Sequence, residues 1–174
     1  MSNGRVRINL GGTERLAGWT IINPVPGPHV DILGDHRELG RFADGSVDEI
    51  YASHVLEHLP VFLEALAQMQ RVLAPGGRLR VAVPDLAQLA RLYLRTDLDM
   101  QERWTVMRMI YGGHVDEYDV HHHGFDELTL QACLVGAGFS GVRRVADFGL
   151  FKDTSVQRYK DTPISLNVEA FKPS

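Results

Sequence analysis

The chain has 174 residues, 44% hydrophobic and 23% charged, with a formal net charge of −4. That length favours one domain over residues 1–174 with a substantial core, and the mixed charges give no basic stripe for a nucleic acid backbone. A lone cysteine, Cys133, rules out an intrachain disulfide and a multi-cysteine zinc site. No apolar run is long enough for a membrane span and MSNGRVRINL has no signal-peptide core, so the cytoplasm is the default compartment.

Val6 to Leu10 alternates and runs into Gly11-Gly12, a strand followed by a turn. WTIIN, 19–23, reads as a second short strand. The prolines of PVPGPH make the next stretch an extended connector. Val30 to Leu33 reads as a third strand, and Glu49 to Ala52 as a fourth that can begin at Val47. From Pro60 to Leu73, apolar residues at 62, 63, 66, 69, 72 and 73 have helical spacing. APGG, 74–77, is expected to stop that helix, with a fifth strand over 78–84. Residues 86–94 and 97–111 read as helices, the second with Trp104, Met107 and Ile110 apolar and Trp104 and Met107 as a stripe burying against the sheet. A histidine-rich loop follows, then a helix opened by Phe125 or Asp126 and closed by Gly138. Two strands end the chain, within GVRRVADF and PISLNVEAFK.

Strands alternating with helices predict an α/β fold with a mainly parallel, doubly wound sheet. The last two strands are joined by a loop, which predicts an antiparallel strand at the C-terminal side. Only residues 11–18 separate the first two strands. A helical crossover takes about a dozen residues or more, so the first helix is missing or reduced to a turn.

DGSVDEIYASHVLEHL followed by RVLAPGGRLRVAVPDL resembles the class I methyltransferases that use S-adenosylmethionine, in their small bacterial branch. Asp48, HVLEH at 54–58 and RVLAPGG at 71–77 match at the right spacing, and FDELTLQACLVGAGF resembles a further helix of that family. The resemblance implies a Rossmann-like sheet of seven strands with the last antiparallel. It also implies S-adenosylmethionine as cofactor, lying across the C-terminal ends of strands one to four.

Carried over by resemblance, the cofactor residues are Leu10, Gly11, Gly12, Thr13, Asn23, Asp35, Ser53 and His54. Two departures weaken that site. The glycine loop keeps only two adjacent glycines, with Asn9 where an acid often sits. Asn23 stands where the second strand usually ends in an acid gripping the ribose; an amide accepts without charge assistance. Asp35 serves equally well as the cap of a short helix.

A methyltransferase needs its donor and nucleophile aligned and one proton removed. His122, His123 and His54 are the candidate bases, imidazole titrating near neutrality. Glu57 and His58 read as surface or structural residues. Imidazoles and carboxylates from His114 to His123 suit a metal ion, but residues 121–123 are sequential and point different ways on an extended chain, so at most two could share one; no ligand is assigned, and a metal-dependent enzyme at this loop is a third expectation. Cys133 reads as core and Trp19 as packing under the first strand pair. The expected acceptor is a small polar molecule bearing a hydroxyl, with no nucleic acid and no membrane partner. Without capping helices the cleft lies open, and a homo-oligomer is one way to cover it. The competing expectation is a binding or scaffolding protein that kept the fold and lost the donor site.

Overall fold

A computed structural model describes residues 4–174. In chain order it contains β1 (Arg7–Leu10), β2 (Thr20–Asn23), β3 (Ile32–Leu33), β4 (Val47–Ser53), α1 (Phe62–Val72), β5 (Leu73–Pro84), α2 (Leu86–Tyr93), α3 (Met100–Tyr111), α4 (Glu127–Gly136), β6 (Ser140–Val145), β7 (Arg158–Tyr159), β8 (Thr162–Pro163) and β9 (Ser165–Phe171). Seven strands form one sheet in the order β3-β2-β1-β4-β5-β9-β6. β1 to β5 pair in parallel, and β9 runs antiparallel between β5 and β6. No helix joins β1 to β2, as the nine-residue gap requires.

The central strands are covered on both faces. Ile50, Tyr51 and Ala52 of β4 and Val81 to Val83 of β5 are all buried, the continuous apolar run expected of inner parallel strands. α1 buries Ala65, Leu66, Met69 and Val72, one helical stripe, into the main core with Ile50, Leu79 and Leu134. α4 starts from a capping box in which Asp126 accepts from Thr129 N–H and the Thr129 hydroxyl returns to the Asp126 amide. Asp126→Ala is expected to lower the urea midpoint at unchanged slope, because the cap is lost.

Several expectations are corrected. β3 has only Ile32 and Leu33, because Asp31 Oδ2 takes the Ile21 amide and ends the ladder early. β5 begins at Leu73 rather than 78. Leu73 pairs with Val47 and Arg78 with Glu49, so residues 74–77 loop out as a bulge without breaking the strand. Gly76, at φ 74°, supplies the left-handed turn of that bulge.

α3 does not lie on the sheet. It packs on α2 through Val106, with Met109 and Ile110, in a second cluster containing Leu89, Leu92 and Ile164. Trp104 is 60% exposed, because the buried stripe is turned away from the 104–107 line. Arg103 joins the two helices by donating to the Tyr93 and Arg95 carbonyls at the end of α2. Cys133 is half-buried against the main core rather than inside it. Trp19 is buried edge-on to Tyr51 and Phe151, and Arg7 covers its ring. Among the described residues, no helix is long and apolar enough to cross a membrane.

Candidate functional site

The C-terminal ends of β1, β2, β3 and β4 open onto two adjoining cavities. The larger, about 360 Å³, is lined by Leu10, Gly11, Asn23, Asp35, His54 and His122 together with Pro24, Val25 and Leu59. The smaller, about 190 Å³, is lined by Asn9, Gly11, Gly12, Thr13, Ser53 and His54 together with Phe151 and Thr154. Gly11 and His54 belong to both. All eight residues carried over as cofactor contacts therefore line one or other of these two adjoining cavities. Sequence spacing could not place residues 151–154 there. They are held by the Tyr51 hydroxyl, which bonds Asp153 at 2.8 Å and Ser155 at 3.1 Å from over a hundred positions away. Burial pushes the Tyr51 phenol well above its usual value, so it remains a donor.

The β1 turn leaves bare backbone towards the hollow. Gly11 sits at φ 75°, and a Cβ there would lie 2.6 Å from Val55 Cγ2. A Cβ on Gly12 would run into the Asn9 amide. The Gly11 N–H is already spent on the Ile22 carbonyl at 2.8 Å. The Asn23 amide is also engaged: Nδ2 donates to the Gly12 carbonyl at 3.0 Å and Oδ1 accepts from the Val25 amide at 2.9 Å. Asn23 thus ties the first loop to the connector after β2. Asp35 caps the short 3-10 turn His36–Arg41 and pairs with Arg37. The hydrogen bond from Arg37 is the main cause holding its carboxyl below the usual range. Ser53 Oγ is buried at the mouth with no hydrogen-bond partner among the described residues.

His54 takes a left-handed backbone, φ 53°, uncommon for a residue with a side chain. Its Nε2 lies 2.8 Å from Ser165 Oγ. That hydroxyl donates to the Thr154 carbonyl, so Nε2 is the donor to it. The Nδ1 side of His54 faces Glu57 Oε1 at 3.1 Å, an ion-pair distance outside hydrogen-bond direction. Glu57 is not a surface residue. It is completely buried in the 3-10 turn Leu56–His58, because its carbonyl is the anchor for the histidine loop: His122 N–H donates to it at 2.7 Å. Burial alone would push its carboxyl up, but His54 and His58 outweigh that and hold it below the usual value.

The loop from Gly112 to Gly124 folds back over this edge. Gly112, at φ 89°, turns it where a Cβ would strike the Asp119 carbonyl. His122 is exposed and lines the larger cavity, beside Glu117 and Tyr118. His123 lines neither cavity of the hollow. Its Nε2 donates to the Pro60 carbonyl at 3.1 Å and its ring packs on Phe62.

Residues 23–81 match the family described as a methyltransferase domain. The demethylmenaquinone methyltransferase of Beutenbergia cavernae is 32% identical over 118 residues, 64% of this chain and 48% of its own. The chain spans less than half the length of the curated relatives it matches. A structure of a Listeria monocytogenes putative S-adenosylmethionine-dependent methyltransferase superposes with a TM-score of 0.62, at 15% identity, over 99% of this chain and 91% of that one. The Burkholderia thailandensis 1,6-didemethyltoxoflavin-N1-methyltransferase, solved with S-adenosylhomocysteine, gives 0.61 at 18% identity, over 98% and 73%. The expected sheet and its antiparallel strand agree with this class, and the cofactor that the match implies is S-adenosylmethionine.

Proposed function

As a chain of the class I methyltransferase fold whose residues 23–81 match the methyltransferase-domain family, we propose that it transfers a methyl group to a small polar acceptor, a hydroxyl on a sugar or other metabolite. S-adenosylmethionine would supply an electrophilic methyl on a sulfonium. The observation that carries this reading is the double hollow at the sheet's C-terminal edge, joined at Gly11 and His54. At about 360 Å³ the larger part is of a size that small ligands occupy.

Each residue then has a stated task. Leu10, Val25 and Leu59 give apolar walls for an aromatic base, with Asp35 at one end and Asn23 at the floor. Gly12 and Thr13 bring backbone to the narrower arm, which Ser53 also lines. His54 fixes the shared wall through Ser165. His122, exposed on the cavity rim, takes the acceptor's proton. His123 holds the loop against Pro60. In this reading residues 1–174 act as one methyltransferase-like unit in the cytoplasm, as the single cysteine suits, and a second copy can cover the open cleft.

A second reading has its own observation. Both parts of the site that depart from the family are tied into the fold, since the Gly11 amide and the Asn23 side chain are committed to internal bonds. A protein that kept the sheet as a scaffold would look like this. Titration calorimetry with S-adenosylhomocysteine separates the readings. The enzyme reading expects saturable heat, competed by S-adenosylmethionine. No heat and no competition at millimolar ligand leaves the scaffold.

A further inference from the structure

Glu57 raises a problem that the methyl-transfer reading does not use. It is completely buried and ionisable, and neither carboxylate oxygen has a hydrogen-bond partner among the described residues. A buried carboxylate is retained where a counter-charge or a metal ion meets it. Its neighbours are imidazoles, and the nearest, His54, already faces Oε1 with Nδ1 at 3.1 Å, which leaves Oε2 without a partner. His58 Nε2 lies 3.9 Å from Glu57 Oε1, and His58 Nδ1 is itself buried with no partner among the described residues. The His121 ring stands edge-on to His58, with centroids 4.6 Å apart. One donor atom from each of Glu57, His58 and His121 lies within 4.8 Å of the others.

His121 is prepared for one role. Its Nδ1 is within 3.1 Å of the Ile110 carbonyl. A hydrogen bond there fixes the tautomer and leaves Nε2 with a lone pair, the outer-shell arrangement found for metal-bound histidines. The loop that carries it is pinned in place, His121 N–H to the Tyr111 carbonyl and His122 N–H to the Glu57 carbonyl. Two segments over sixty residues apart thus converge with two imidazoles and one carboxylate.

We infer that Glu57, His58 and His121 form a binding site for one divalent first-row transition metal ion. Two imidazoles with a carboxylate are the ligand set that suits zinc and iron, with positions left open for solvent or a substrate oxygen. Bonds of about 2.1 Å put tetrahedral donors roughly 3.4 Å apart, so the three side chains draw in around the ion. The site lies behind the shared wall of the methyl-transfer hollow. His58 lines the larger cavity, and His121 lines a further space of about 190 Å³ beside α2 and α3 that His54 and Thr154 also line. The sequence allowed at most two of histidines 121–123 on one ion and assigned no ligand; the ion needs only one of them, and Glu57 and His58 supply the rest.

Untagged protein, stripped with chelator and then titrated with Zn²⁺ and with Co²⁺, tests this. One ion per chain is expected, with a visible Co²⁺ absorption band and a raised melting temperature. Glu57→Gln, His58→Ala and His121→Ala should each weaken binding at least about a hundredfold, going beyond the 10- to 100-fold typical of outer-shell changes. The double variant His122→Ala/His123→Ala should still bind one ion. No stoichiometric binding by the folded native chain overturns the site and leaves a buried acid–imidazole network. Binding that survives His121→Ala but is lost in the double variant also overturns it. Should Glu57→Gln fail to fold, His58→Ala and His121→Ala decide. S-adenosylhomocysteine binding is read separately, so either proposal can fail alone.

Discussion

Replacing His122 with alanine should lower kcat by about a hundredfold to ten-thousandfold, measured with an acceptor that supports turnover, the range that a positioned general base contributes. The melting temperature should hardly move. The ring is exposed and makes no side-chain hydrogen bond among the described residues, while the loop is held by its backbone N–H on Glu57. Affinity for S-adenosylhomocysteine should stay within a fewfold, because the apolar walls assigned to its aromatic ring are Leu10, Val25 and Leu59, with His122 only on the rim. His123→Ala should cost less, acting through the Pro60 contact that sets the loop's position. Unchanged rates in both variants refute the base assignment. They would point to an acceptor that is already an anion, such as a carboxylate, which needs no proton removed.

What the sequence made legible follows the range of the forces involved. α1 was readable because its stripe of Leu66, Met69 and Val72 is a local periodicity that tertiary packing uses directly. The absent first helix was readable because eight residues cannot cross over between parallel strands. α3 was misassigned because a helix with apolar residues on several sides does not announce which one is buried; the neighbour decides, and that neighbour is α2, not the sheet. The continuous β5 was hidden by a proline-glycine run that ordinarily ends strands, and which here leaves the ladder only as a bulge.

The hollow divides the same way. Residues that follow strand ends, such as Gly11, Asn23 and Ser53, could be named from position alone. Their hydrogen-bond states could not, and those states decide how Asn23 acts. Thr154 and Phe151 carried no signal, since a polar loop is compatible with full solvation. The meeting of Glu57 and His58 with His121 was also out of reach. HVLEH looks like a helix surface until the histidine loop closes over it and removes the water.

Arg80→Met should be the most destabilising change on the opposite side of the functional edge. Arg80 on β5 is buried between two carboxylates, Glu49 on β4 and Glu169 on β9, and bonds Glu169 at 3.1 Å. Arg143 on β6 continues the line to Glu169 at 2.8 Å, so charges alternate across four strands. Removing the central cation leaves two like charges facing each other with little water. Breaking a buried pair this way costs about 3–5 kcal/mol, read as a lower urea midpoint. Glu49 loses its only ion pair among the described residues, whereas Glu169 keeps Arg78 and Arg143. Glu169→Gln should therefore cost less than Arg80→Met. Burial raises the Glu169 carboxyl, but the hydrogen bonds from Arg143 and Arg80 prevail and leave it below the usual 4.5. A depressed folded value means that this stability is present above the unfolded value and is lost as pH falls through the folded one. Between pH 6 and 8, well above about 4.5, the native chain should show no change in urea midpoint from this ladder. Below that value its stability should fall, and Glu169→Gln should flatten part of the decline. A decline of equal steepness in that variant would show that Glu169 contributes nothing to it.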